Sequence, residues 1–344
     1  VGPRAMRDLR TLPKAHLHLH FTGSLRPQTM VELARVERVR LPAHLLVDDP
    51  LSVPKDSRGW FRFQRSYDAA RALVRSETVM RRLVDEAVAD DAQEGSVRLE
   101  IQVDPTSYAP HVGGLTPALE IVLDQAKKSS HKWGVSVGVI VAASRMRHPL
   151  DARTLARLAA QYAGDGPGEV VAFGLSNDET AGETSLFGAA FRIARRAGLP
   201  GVPHGGELLG PRHVREVVQY LKPSRLGHGV RATEDPELMR QLIDSGVAFE
   251  LCPTSNVSLG VYEDLERVPL RVLSDAGAQI ALGADDPLLF RSRLLDQYEY
   301  ARWIGFSDEE LAHLASSSID ASFAPAACKR QWQEGIRRWL STEL

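Results

Sequence analysis

The sequence predicts an α/β fold, a TIM (β/α)8 barrel with a helical insertion after its first strand and extra helices at its C-terminal end. Three observations carry this. Eight short runs rich in β-branched and apolar residues recur along the chain, amphipathic helical patterns lie between them, and polar, chemistry-bearing residues cluster where several runs end. Strands alternating with helices imply a parallel sheet, and eight such units imply a closed one. A doubly wound open sheet accounts for less, because it would spread the polar strand ends along an edge instead of converging them on one mouth.

The first run, Ala15-His16-Leu17-His18-Leu19-His20, alternates imidazoles with apolar residues. Alternate side chains of a strand share a face, so His16, His18 and His20 are expected to point together. Pro27 then opens a helix through Met30, Leu33 and Ala34, a residue suited to a first helical turn. Residues 41–58, rich in Pro, Asp and Ser, read as an excursion, and helical patterns at 60–73 and 78–93 follow it. Runs at 97–103, 135–141, 170–175, 201–204, 225–228, 248–252 and 279–283 supply strands two to eight, with helices at 115–128, 151–162, 184–197, 211–221 and 236–245 between them. Pro203 in the fifth run is tolerated at a strand end. Residues 308–344 read as helical and are expected to pack outside the barrel. Residues 7–344 show no linker, short repeat or low-complexity tract and are read as one domain, and residues 1–6 as a tag remnant or disordered start.

Composition narrows the function classes. Hydrophobic residues make up 43% of the 344 positions, enough for a large core. With 42 basic and 44 acidic residues the chain lacks the basic footprint of a nucleic-acid binder, and no apolar run approaches the roughly eighteen residues that cross a membrane. Cys252 and Cys328 are far apart and form no C-x-x-C pair, which leaves neither a disulfide framework nor a cysteine zinc knuckle. A cytoplasmic protein acting on a small molecule is the expectation. Oligomeric state is left open.

In such a barrel the working side chains sit at the C-terminal ends of strands. Strand one ends in His18 and His20, strand five in His204 followed by Gly205-Gly206-Glu207, strand six in His228, and strand eight leads into Asp285-Asp286. One histidine at a strand end is ordinarily structural, and one Asp-Asp before a proline is ordinarily a helix cap. Four matching strand ends are a different matter. His18, His20, His204 and Asp285 offer three imidazoles and a carboxylate, the donor set of one Zn2+ per chain with a position left for water. Glu207 can curl back across two glycines as a proton donor, His228 remains as the base, and Asp286 is free to bind substrate. A purely structural zinc would have a closed set of ligands without an acid and a base alongside.

These motifs resemble the adenosine deaminase family of zinc hydrolases. The matching stretches are Leu12-Pro13-Lys14-Ala15-His16-Leu17-His18-Leu19-His20, residues 170–179, His204-Gly205-Gly206-Glu207, Arg225-Leu226-Gly227-His228-Gly229 and Leu282-Gly283-Ala284-Asp285-Asp286-Pro287, which span almost the whole chain in the family's order. The resemblance implies hydrolytic deamination at C6 of a purine, with His18, His20, His204 and Asp285 on the metal, Glu207 protonating N1, His228 deprotonating the water and Asp286 meeting N7. His16 is left out of the ligand set.

Two positions depart from the family pattern. Where it has an aspartate reaching the ribose 5′-hydroxyl, this chain has Thr22, and where a bare glycine meets purine N3 it has Asn177, with Gly174 on the same strand. Thr22, Gly174 and Asn177 are therefore expected to line the substrate pocket. The loss of the aspartate suits a nucleoside modified at the 5′ position, such as 6-amino-6-deoxyfutalosine, an intermediate of menaquinone biosynthesis and the substrate of one family branch. Adenosine itself, adenine or another aminopurine is the alternative. A silent nucleoside-binding relative would have no use for Glu207 and His228, and a two-metal amidohydrolase would ordinarily carry a bridging lysine, which residues 170–176 lack.

Overall fold

The computed structural model describes residues 6–343, so the expected tag remnant or disordered start falls, apart from exposed Met6, outside the described residues. Eight strands follow one another as β1 (Lys14–His20), β2 (Ser96–Val103), β3 (Ser136–Ser144), β4 (Val170–Ser176), β5 (His204–Gly205), β6 (Arg225–His228), β7 (Ala248–Leu251) and β8 (Ile280–Leu282). They pair in parallel in two four-stranded arcs, β1-β2-β3-β4 and β5-β6-β7-β8. Single parallel bridges, Phe173 with Gly201 and Leu19 with Asp285, join the arcs at both edges. At these seams the N–H of Val202 donates to Phe173 O at 2.8 Å and that of His20 to Asp285 O at 3.0 Å. The TIM-barrel fold expected from the sequence is thus observed. β5 is shorter than its run because Pro203 has no N–H to offer a ladder.

One expectation about β1 fails. The register of β1 against β2 slips between His16 and Leu19, and a bulge of this kind breaks strict alternation. His16 parts from His18 and His20: its Nδ1 lies 3.0 Å from Asp91, and its Nε2 accepts the N–H of Ala284 at 3.0 Å. It braces the approach to Asp285.

The insertion after β1 is built from α1 (Pro27–Val36), α2 (Ser57–Arg71) and α3 (Glu77–Gln93). Each starts where its chemistry allows: Pro27 occupies the first turn of α1, the Asp56 carboxylate accepts from Gly59 N, and Ser76 Oγ accepts from Val79 N. At the C-terminal end the helices Asp308–Ala321 and Ala326–Ser341 do not simply coat the outside. The first touches the sheet through Ser318, which accepts Ala15 N at 3.0 Å, and Ser317, which accepts Ile280 N at 2.8 Å. The break between them sends Phe323 against the interior layer of Ile140, Val171, Ala172 and Val202.

Candidate active site

The strand ends gather the expected side chains at one mouth. The ligand-capable atoms of His18, His20 and His204 lie within 4.8 Å of one another, and so do those of His18, His228 and Asp285, of His204, Glu207 and His228, and of His20, Asp285 and Asp286. Asp285 Oδ1 is 3.2 Å from Nε2 of His18 and 3.0 Å from Nε2 of His20. Nε2 of His228 lies 3.4 Å from Glu207 and 3.6 Å from Asp285. The His18 and His204 rings stack at 4.8 Å. Gly227 permits this crowding, since a Cβ there would stand 2.3 Å from His204 Cδ2.

The donor set fits a metal ion. Nε2 of His18 and both ring nitrogens of His204 are buried without a hydrogen-bond partner, a costly state unless something else satisfies them. Neutral imidazole nitrogens beside a carboxylate are what Zn2+ prefers. The backbone is also forced here: His228 and Asp285 hold φ of 69° and 63°, left-handed values that cost an L-residue roughly 1–2 kcal/mol each and that collect at functional sites.

Around these residues stand others that the sequence reading did not single out. Glu250 on β7 lies 2.8 Å from His18 Nδ1, and Ser255 donates to Asp285 Oδ2 at 2.7 Å. The Asn256 amide is 3.4 Å from His228 Nδ1. Glu179 accepts the backbone N–H groups of Glu207, Leu208 and Leu209 at 2.9, 2.9 and 3.0 Å, which pins the loop carrying Glu207. A signal for Glu250 was present in the sequence, a lone carboxylate inside an apolar run, because charged groups are rarely buried unpaired.

The electrostatics divide the site. Burial, with Asp285 close by, holds the Glu207 carboxyl well above its ordinary range, and the same two causes raise Asp286. Despite burial, the His18 and His20 rings at 3.2 and 3.0 Å pull Asp285 well below its usual value. Burial pushes His228 down to about 3, and burial with the neighbouring imidazoles pushes His204 well down, so both rings are neutral. Against burial, Asp285 and Glu250 raise His18 to about 10.

A cavity of about 500 Å³ opens over these groups, walled by His20, His204, Glu207, His228, Asp285 and Asp286 on one side and by Trp60, Phe63 and Arg71 of α2 on another. Asn177 lines it as expected, with φ 77°, a left-handed conformation that Gly and Asn adopt most readily. Two expectations are corrected. Thr22 is fully buried and off the cavity wall, its hydroxyl bonded to that of Tyr108, which itself faces the cavity. Gly174 is likewise off the wall: it sits lower on β4, where a Cβ would meet Val202 O at 3.3 Å, and Ser176 reaches the cavity in its place. Gly23, next to Thr22, matters in another way, because a Cβ there would overlap Asp286.

A parallel barrel with buried histidines, aspartates and a buried glutamate at its C-terminal mouth defines a hydrolase of the metal-dependent barrel type. Comparison with known proteins makes this specific: the family model described as adenosine deaminase matches residues 13–339, and the chain belongs to that family of hydrolytic purine deaminases. It is 56% identical over 337 residues to a putative adenosine/adenine deaminase of Streptomyces virginiae, covering 97% of this chain and 98% of that one. An adenine deaminase of Sinorhizobium medicae is 33% identical over 314 residues, 91% of this chain and 94% of the relative. Among solved structures, adenine deaminase from Arthrobacter aurescens superposes with a TM-score of 0.87 at 27% identity, covering 96% of this chain and 99% of that one.

Proposed function

We propose that this protein replaces the 6-amino group of an adenosine-type nucleoside bearing an acidic 5′ substituent by oxygen, releasing ammonia. The observation that carries the chemistry is Glu207, its carboxyl raised by burial and by Asp285, standing 3.4 Å from neutral His228 at a mouth lined by the donor set His18, His20, His204 and Asp285. Those four residues would hold one Zn2+, which lowers the pKa of a bound water to about 7. Glu207 donates its proton to purine N1, so that negative charge does not build up on the ring as water oxygen adds to C6. His228, neutral in its buried setting, is placed to take the water's proton at Nε2, and the Asn256 side-chain amide stands 3.4 Å from its Nδ1. The amino group takes up the proton held by His228 and departs as ammonia, while the added hydroxyl returns a proton to Glu207, so that C6 is left as a carbonyl and both side chains are restored. Asp286, its carboxyl raised by burial and by Asp285 and its Oδ1 unpartnered, is placed to meet N7.

The substrate reading rests on the cavity. Its volume falls in the range that encloses drug-sized ligands and exceeds what a bare purine fills. Elsewhere on the cavity wall stand Trp60 and Phe63 with Asp104, Arg147 and Arg71, the last paired with Asp68 at 2.6 Å; the aromatic rings and Arg147 suit an extended, aromatic and acidic substituent such as that of 6-amino-6-deoxyfutalosine. Ammonia release from adenine, adenosine, AMP and 6-amino-6-deoxyfutalosine tests this. The highest kcat/KM is expected on the last, with Arg147→Ala lowering that value about tenfold and leaving adenine turnover unchanged. A preference for adenine or adenosine would refute the acidic substituent while leaving deamination standing.

A further inference from the structure

Below the histidines a chain of charged side chains runs down the barrel interior. Glu250 Oε1 is 2.8 Å from His18 Nδ1, Arg225 Nε donates to Glu250 Oε2 at 2.5 Å, and Arg225 Nη1 donates to Glu100 Oε1 at 3.0 Å. The chain ends on the break between the last two helices. There Arg225 Nη1 also donates to Ala321 O at 2.9 Å, and Glu100 accepts the N–H of Phe323 at 3.1 Å, with the Phe323 ring 4.2 Å from the Arg225 guanidinium. Glu100, Arg225 and Glu250 are at most 1% exposed.

Buried ionic clusters are poor devices for stability alone, since apolar side chains of similar volume often serve as well or better. A carboxylate that accepts from Nδ1 of a metal-ligating histidine has a different use: it fixes the tautomer and the ring plane, leaving Nε2 free to coordinate. We infer that Glu250 and Arg225 are positioning residues for the metal ligand His18, aligned from the far end of the barrel by residues 321–323. This rests on the reading of His18 as a ligand. Arg225 restrains Glu250 by its short Nε contact, and the helix break restrains Arg225, so that the orientation of His18 depends on chain more than 300 residues away.

The test is zinc affinity of the full-length protein by chelator competition, paired with thermal unfolding of each metal-free variant. Glu250→Gln, which turns an amide toward Arg225, is expected to lose about 10- to 100-fold in zinc affinity. Arg225→Lys is expected to lose about tenfold, and Glu100→Gln less than about threefold, although all three disturb one cluster and lower the melting temperature alike. Equal losses of affinity in the three, or none in Glu250→Gln, would overturn the inference. Should Glu250→Gln fail to fold, Arg225→Lys against Glu100→Gln decides by the same ranking. Failure of the ligand assignment itself looks different: His18→Ala would then bind zinc as tightly as the parent.

Discussion

The lower half of the barrel interior and its mouth both bury charged and polar side chains, and they treat them in opposite ways. Below, Arg98, Glu100, Arg225 and Glu250 balance one another in charge, and Arg225 engages two carboxylates and a carbonyl, with Nη2 of each arginine left unpartnered. At the mouth, Nε2 of His18, His204 and His228 and Oδ1 of Asp286 are buried without partners, on a backbone with left-handed His228 and Asp285. Compensated charges hold the strands in place; uncompensated ones wait for a metal and a substrate, and their cost to stability is borne by the packing around them.

The contrast breaks most visibly at Glu207. Glu207→Gln removes the proton donor proposed for N1 and is expected to lower kcat by about 10²- to 10⁴-fold, with zinc content and melting temperature held or slightly raised; steady-state kinetics with metal analysis checks both. The opposite pattern is expected below. Arg225→Met strands Glu100 and Glu250 in the interior and is expected to cost about 3–5 kcal/mol in denaturant unfolding, the scale for breaking a buried pair. A third substitution lies between the two regions in kind and is the smallest in effect. Asn177→Gly relieves a left-handed φ but loosens the unfolded chain, so stability should change by less than about 1 kcal/mol, and any shift should appear in KM, since the Asn177 side chain lines the cavity.

The fold was legible because its units are local. All eight runs became strands and the helix expected from Pro27 starts there, while the caps Asp56 and Ser76 start the next two helices at Ser57 and Glu77, slightly ahead of the expected 60 and 78. The candidate ligands were legible because their clustering repeats at four strand ends. What escaped notice depends on pairs distant in sequence. The bulge that turns His16 toward Asp91 shows only when β1 is laid against β2. Thr22 looked like a pocket residue until Tyr108, 86 positions on, took its hydroxyl. Glu250 and Arg225 each sit inside an apolar strand, and only closure of the barrel brings them together and against His18.

One zinc ion on His18, His20, His204 and Asp285 would make the mouth a deaminase. Metal-free protein titrated with zinc, with ammonia release from a 6-aminopurine nucleoside followed at each addition, tests it directly. Activity is predicted to rise linearly from zero and to level off at about one zinc per chain. A plateau reached only at two, or ammonia release undiminished in the metal-free protein, would contradict the account.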